Sequence, residues 1–249
     1  MLSSFSTINS IAKFKPSTTV VATQSWGSAF TGSIYASTVG YYALSTTSQT
    51  IGTSPFTIEF WMYTNTNAVC GVFVLSAYDS NSTTNGRMTC FYNFPGITGR
   101  LMLQTSYNTS LMIVSNAIPT SQWVHVAITR DASNVVKVYV NGVASTYTAT
   151  SNTFPSATWN YNFNNGRISL FRDYYDLNQE YFTSRLTGFS ISKAIWYTSN
   201  FTPTALQLNN DTSKILLLNP ASGSLLTDSS STANTLTNSG PLTFDTSHP

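Results

Sequence analysis

Eight consecutive residues, Phe56–Tyr63, read Phe-Thr-Ile-Glu-Phe-Trp-Met-Tyr, and this alternation constrains the fold more than any other feature of the chain. In an extended backbone Phe56, Ile58, Phe60 and Met62 share one face, with Thr57, Glu59, Trp61 and Tyr63 on the other. A period of two is the pattern of a strand burying one face. Trp61 and Tyr63 make the second face apolar near its end as well.

The same signal recurs at spacings of roughly 8–15 residues, with turn residues between. Val72–Tyr78 and Arg87–Phe94 flank the polar loop Asp79–Gly86 and predict a hairpin. Arg100–Ser106 and Leu111–Asn116 predict another around Tyr107–Ser110, and Trp123–Asp131 is followed by Val135–Thr146. Asn141-Gly142 is the strongest local signal: both central residues of a type I′ turn need φ > 0, which Asn and Gly accept most easily. Asn165-Gly166 and Asn85-Gly86 are weaker turn marks. Further strands are expected at Arg167–Phe171, Arg185–Ser192, Lys214–Asn219 and near Leu242–Phe244. No amphipathic helix stands out, and Ile195–Phe201 supplies at most one short turn. The order predicts an all-β fold, an antiparallel two-sheet β-sandwich of jelly-roll type. Residues 1–23, rich in Ser and Thr with Pro16, read as an N-terminal arm or anchor, and 24–249 as one domain.

A turn centred near residue 83 would set Cys70 opposite a residue near 96, offset from Cys90. A disulfide would need another register, and two buried thiols are the alternative. No C-x-x-C spacing exists.

Composition says what such a sandwich shows to its surroundings. Only 8% of residues are charged, against about 25% in ordinary domains, while 36 Ser, 38 Thr and 22 Asn supply neutral hydroxyls and amides. Eleven basic and nine acidic residues give a net charge of +2, and Lys13 with Lys15 is the densest basic cluster. That is no phosphate-tracking stripe, so nucleic acid is not an expected partner. The apolar runs are too short for membrane insertion, and 14% aromatic residues argue against disorder. Residues 1–24 carry no secretory-signal pattern, which predicts a chain that leaves its cell as a virus particle does, at lysis. N-x-S/T sequons begin at Asn81, Asn108, Asn200 and Asn210, as chance yields in a chain so rich in these residues.

The segments Phe56–Tyr63, Trp123–Asp131, Val135–Gly142, Leu186–Pro203 and Lys214–Asn219 together resemble the laminin-G-like, concanavalin-A-like lectin/glucanase jelly roll. F-T-I-E-F-W, W-x-H-V-A-x-T-R, V-x-V-x-V-N-G and I-S-K-x-x-x-Y-T-x-x-F-T-P stand in the order of that family, over about residues 24–249. The resemblance implies two packed sheets of about twelve to fourteen strands in all. It also implies glycan or protein binding, in some members with calcium, and similarity to domains of phage and virus structural proteins. No calcium ligand of the family aligns with an aspartate of this chain.

Candidate chemistry is sparse. The histidines are His125, inside a strand, and the penultimate His248. A Ser-His-Asp triad would have to use one of them; the plainer expectation is a strand histidine hydrogen-bonded in place. Glycoside hydrolysis needs two carboxylates about 5–5.5 Å apart in a retaining enzyme, yet Glu59 and Glu180 are far apart in sequence and Glu59 has no acidic neighbour two or five residues on. The loop Arg172–Glu180 holds Asp173, Asp176 and Glu180, oxygen ligands that could cage Ca²⁺ or simply be solvated. In Ala157–Gly166, Trp159, Tyr161 and Phe163 alternate with Asn160, Asn162 and Asn164. Such a strand offers either a ring-and-amide surface for a glycan, with Tyr174 and Tyr175 close in sequence, or core aromatics with amides facing water.

The sparse catalytic residues, the low charge, the missing signal pattern and the resemblance together predict a non-catalytic virion structural or surface protein: a fibre, decoration or minor capsid component. Its expected partners are other virion proteins or copies of itself as a homo-oligomer, and host-surface glycans held by avidity. A secreted or cell-surface lectin-like adhesin is the alternative, ahead of a glycoside hydrolase; a purely architectural subunit would bind nothing. No cofactor is expected, apart from the Ca²⁺ that the acidic loop suggests.

Overall fold

The computed structural model describes residues 24–66, 68–77, 87–105, 112–148, 153–159, 162–163, 166–172 and 181–249, and these contain strands and no helix. The first strands are β1 (Trp26–Ala29), β2 (Ser33–Tyr35), β3 (Tyr42–Ser45), β4 (Phe56–Tyr63), β5 (Cys70–Ala77), β6 (Met88–Tyr92) and β7 (Arg100–Thr105). There follow β8 (Met112–Ala117), β9 (Trp123–Arg130), β10 (Val135–Val140), β11 (Val143–Ala144), β12 (Thr153–Phe154) and β13 (Ser156–Thr158). The last are β14 (Gly166–Leu170), β15 (Arg185–Ser192), β16 (Leu206–Leu208), β17 (Lys214–Leu218), β18 (Leu236–Ser239) and β19 (Thr243–Asp245). Nineteen strands exceed the expected twelve to fourteen because segments of two to four residues, such as β11, β12 and β16, also pair.

Two sheets face each other. The nine-stranded one runs β11-β10-β9-β4-β15-β2-β19, with β13 joined to β10 and β17 to β15. The eight-stranded one runs β12-β8-β7-β6-β5-β14-β3-β18. The long strands pair antiparallel, so the predicted jelly-roll sandwich is the fold. Alternation fills the space between the sheets. Phe56, Ile58, Phe60 and Met62 of β4 and Val124, Val126 and Ile128 of β9 are fully buried against Val72, Phe73 and Leu75 of β5. Phe60 stacks on Phe189 at 5.4 Å, and Phe73 of the opposite sheet meets both rings edge-on at 5.9 and 5.5 Å. Truncating one such ring to Ala typically costs about 3–5 kcal/mol.

Two glycines fix the register. In β15, Leu186 faces Met62 and Thr187 faces Trp61, but Ser190 faces Glu59, so Gly188 and Phe189 stand opposite Phe60 alone. This bulge inverts the alternation: Leu186 points into the core before it, Phe189 and Ile191 after it. Gly188 has φ +61°, and a Cβ there would lie 2.8 Å from the Phe30 ring. At the predicted hairpin, Val140 pairs with Val143, and Asn141 and Gly142 both have positive φ, 48° and 76°. A Cβ on Gly142 would collide with the Phe201 carbonyl at 1.9 Å.

The predicted pairing of Cys70 is corrected. Cys70 lies opposite Tyr92, and Cys90 opposite Phe73, because Leu75 pairs with Met88 rather than with the residue near 91 that a turn at 83 would set opposite it, and the register shifts by one further residue between Gly71 and Phe73. Both are buried thiols outside any disulfide, and burial, then Cys70, pushes the Cys90 thiol up. The arm predicted at 1–23 lies outside the described residues.

The outward face of the nine-stranded sheet carries a third, partial layer: the two-stranded ribbon of β1 and β16 and the strap 193–205. Thr57 on β4 fastens the strap, donating its hydroxyl to the Ala194 carbonyl at 2.8 Å and accepting the Trp196 N–H at 3.0 Å. The Phe201 N–H donates to the Gly142 carbonyl at 2.9 Å. No helix among the described residues is long and apolar enough to cross a membrane.

Candidate functional site

Polar and aromatic side chains collect on that outward face, and the third layer divides them into a sealed half and an open half. Under the layer, β4 supplies Glu59 and β9 supplies His125, which are only 1% and 2% exposed. A buried carboxylate needs partners, and Glu59 has three. The Gln24 amide donates to its Oε1 at 2.5 Å, the Tyr197 hydroxyl to its Oε2 at 2.8 Å, and His125 Nε2 lies 3.4 Å from Oε2. The Tyr197 hydroxyl also lies 2.7 Å from Gln24 Oε1, so its one proton serves two acceptors. Burial first, and then the Glu59 charge, raises the Tyr197 phenol far above its ordinary value.

Tyr197 stacks on Phe201 at 3.6 Å, and His125 meets Phe201 edge-on at 5.7 Å and Trp61 at 5.1 Å. Beside Glu59 and His125 a cavity of about 10 Å³ is closed by Trp26, Phe30, Leu206 and Leu208 of the ribbon region, which is room for at most one water. No hydroxyl bonds to His125, whose Nδ1 has no partner. The arrangement pins the strap and the chain at Gln24 to the sheet; it gives a substrate no way in.

Beyond Trp61 the cover stops among the described residues. The next row across the sheet is Trp123 of β9, Tyr63 of β4, Arg185 of β15 and Tyr35 of β2, each the direct cross-strand partner of the next. All four are half-buried and face outward. The Arg185 guanidinium sits between two rings, 4.3 Å from the Tyr35 centroid and 5.4 Å from that of Tyr63, and Tyr63 meets Trp123 at 5.8 Å with a 62° tilt. Asp245 of β19 accepts from Arg185 Nη2 at 3.0 Å. That bond holds the Asp245 carboxyl below its usual range, helped by the Ser247 N–H, although partial burial opposes it. Among the described residues the Tyr35 and Tyr63 hydroxyls and the Trp123 indole N–H have no hydrogen-bond partner, and none is among the buried unsatisfied atoms. The row is therefore a braced set of rings whose polar tips point to solvent. Alternation in β4 carried half of this signal, in Trp61 and Tyr63 on the second face; the join to Arg185 and Tyr35 needs strand order.

The residues singled out in sequence fare differently. Trp159 and Phe163 are 0% and 1% exposed and belong to the core, where Phe163 meets Phe56 edge-on at 5.9 Å. The glycan-facing expectation for these two rings is thus corrected: both are buried in the core, as the alternative reading held for them. Asn162 is half-buried. Asn160, Tyr161, Asp173, Tyr174, Tyr175, Asp176 and Glu180 lie outside the described residues. The two ends of the acidic loop, Arg172 and Tyr181, are bridged to each other. Among the described residues no three His, Cys, Asp or Glu side chains gather as a metal site.

A shallow groove of about 470 Å³ lies along Gly223–Asp228 and Ala233–Leu236. Its carboxylate, Asp228, already accepts from Leu217 N, Ser230 N and Oγ, and Asn234 N and Nδ2, so it serves the loop.

No curated protein matches the chain in sequence. Among solved structures, a Bacteroides ovatus protein provisionally assigned to carbohydrate binding superposes with a TM-score of 0.58 at 15% identity, over 87% of this chain and 60% of its own. The present chain thus spans about 60% of that relative's length. The heptameric SAP-like pentraxin of Limulus polyphemus gives 0.44 at 13% identity, over 71% of this chain and 76% of its own. Tailspike protein 2 of bacteriophage CBA120 gives 0.45 at 10% identity, over 75% and 31%. At these identities the likeness speaks of fold alone. The sequence model described as the Concanavalin A-like lectin/glucanases superfamily matches residues 37–205, and with the sandwich and its register in place the chain belongs to that superfamily.

Proposed function

We propose that the chain is a non-catalytic glycan-binding module whose contact surface is the open row Trp123–Tyr63–Arg185–Tyr35 with Asp245. One observation carries the reading: braced aromatic rings end in unpartnered hydroxyl and N–H groups beside an ion pair. Sugars offer C–H surfaces and hydroxyls in alternation, which such a surface meets without ordering further side chains. Catalysis is left out because Glu59 is sealed among Gln24, Tyr197 and His125. The row itself offers one carboxylate, Asp245, already paired with Arg185, where glycoside hydrolysis uses two.

Display in several copies on a virion surface, as fibre, decoration or minor capsid component, is the setting that the sequence resemblance favours, with weak single contacts summed by avidity. A cell-surface adhesin would use the same row. Metal plays no part in the proposed contact, and the acidic loop with Tyr174 and Tyr175 is not needed for it.

The test is a glycan array probed with a multivalent form of the full chain, beside the Tyr63→Ala and Arg185→Ala variants. Hits by the parent that both variants lose support the reading. An array without hits overturns it, as does turnover of a bound glycan.

A further inference from the structure

The open row has a length, a charge balance and a shape, and these narrow the ligand. Trp123, Tyr63, Arg185 and Tyr35 sit on four adjacent strands. Three inter-strand spacings of about 4.8 Å make the row about 14 Å long, the reach of about three pyranose rings. It runs across the strands, so a chain following it lies perpendicular to β4 and β15.

The charge is balanced. Arg185 and Asp245 neutralise each other at 3.0 Å, and no other charged side chain belongs to the row. A ligand carboxylate accepting from the remaining Arg185 N–H groups would lie beside Asp245, two like charges close together. A neutral diol has no such conflict: one hydroxyl donates to the carboxylate while its neighbour accepts from the guanidinium.

The shape is not flat. Tyr63 and Trp123 are tilted by 62° to each other. A sheet-like polysaccharide surface asks for coplanar rings, whereas a single chain can turn between tilted ones.

We infer that the row takes a single neutral oligosaccharide strand of about three hexose or pentose units, laid across the strands. One end unit lies against Trp123–Tyr63, and the other two lie along Tyr35 and the Arg185–Asp245 pair, which reaches from β15 past β2 to β19. This inference rests on the glycan-binding reading above and goes further, to chain length, charge class and direction.

Calorimetric titration of the full chain with neutral cello-, malto-, xylo- and β-galacto-oligosaccharides of one to six units tests it, beside an oligogalacturonide ladder as the acidic probe. In the neutral series that binds, affinity should rise at least tenfold from one unit to three and change less than twofold from four to six. Trp123→Ala and Tyr35→Ala should each flatten the rise, so that the trimer binds no better than the dimer. Affinity complete at one unit, affinity still climbing at six, or tighter binding of the galacturonides would overturn the inference while leaving glycan binding intact. So would a glycan whose affinity ignores both variants. Failure of every ladder and of the glycan array together would overturn both proposals.

Discussion

Glu59 and Tyr63 stand four residues apart on one strand and point to the same side of the sheet, yet one is sealed and the other meets solvent. The same holds along β9, where His125 is buried and Trp123 is half-exposed. The strands and their alternation are common to both halves; only the ribbon and strap differ. Under that cover, polar groups must find partners within the protein, and Glu59, Tyr197 and Gln24 close on one another. Outside it, polar tips keep their capacity for a ligand. A polar residue on a strand is therefore structural or ligand-facing according to what lies above it, not according to its type.

The largest effect that separates the halves should come from Glu59→Ala. It strips partners from Gln24 and Tyr197 and leaves His125 alone, a loss of about 3 kcal/mol by the cost of breaking buried charged contacts. Urea unfolding reads it, and a loss under 1 kcal/mol would mean that the sealed cluster does not fasten the third layer. Next comes Gly188→Ala at the border between the halves, where positive φ and the Phe30 ring both oppose a methyl group. About 2 kcal/mol is expected, and an unchanged melting temperature would show the bulge to be pliable.

Trp123→Ala reverses the pattern. Affinity for the array hit should fall about tenfold, or about 1.4 kcal/mol, while stability changes by about 1 kcal/mol or less. If stability drops and affinity holds, the two halves have been assigned the wrong way round.

The smallest effect is that of pH. Because Asp245 titrates below the usual 3.8 when folded, the contribution of its pair with Arg185 is complete above that value and is lost as pH falls through the lowered one. Affinity should stay level on this account from pH 8 to about 4 and then decline. Asp245→Asn should abolish the acid decline.

Much of this was legible in sequence, for reasons particular residues make plain. Phe56–Tyr63 alternates without interruption and pairs with β9 without a break. Asn141-Gly142 carried its own turn chemistry, and the positive φ values match it. The partner of Cys70 is not legible because a long polar loop does not say which residues of its two strands meet: Leu75 pairs with Met88, and a shift between Gly71 and Phe73 adds one residue more. Trp159 and Phe163 showed a ring face without saying which way it turned. The open row was invisible for a different reason: Tyr35, Tyr63, Trp123 and Arg185 come from four separate segments, and only strand order makes them neighbours. The sequence predicts His125 as a strand histidine hydrogen-bonded in place; its Nε2 lies against Glu59, but Nδ1 stays without a partner.

The most direct test of the open row as the binding surface is a side-chain NMR titration of the full chain with its best neutral oligosaccharide. The account predicts saturable shifts at the Trp123 indole, the Tyr35 and Tyr63 rings and the Arg185 guanidinium, while His125 and Tyr197 stay still. Shifts confined to the eight-stranded sheet or to 173–180, with the row silent, would contradict it.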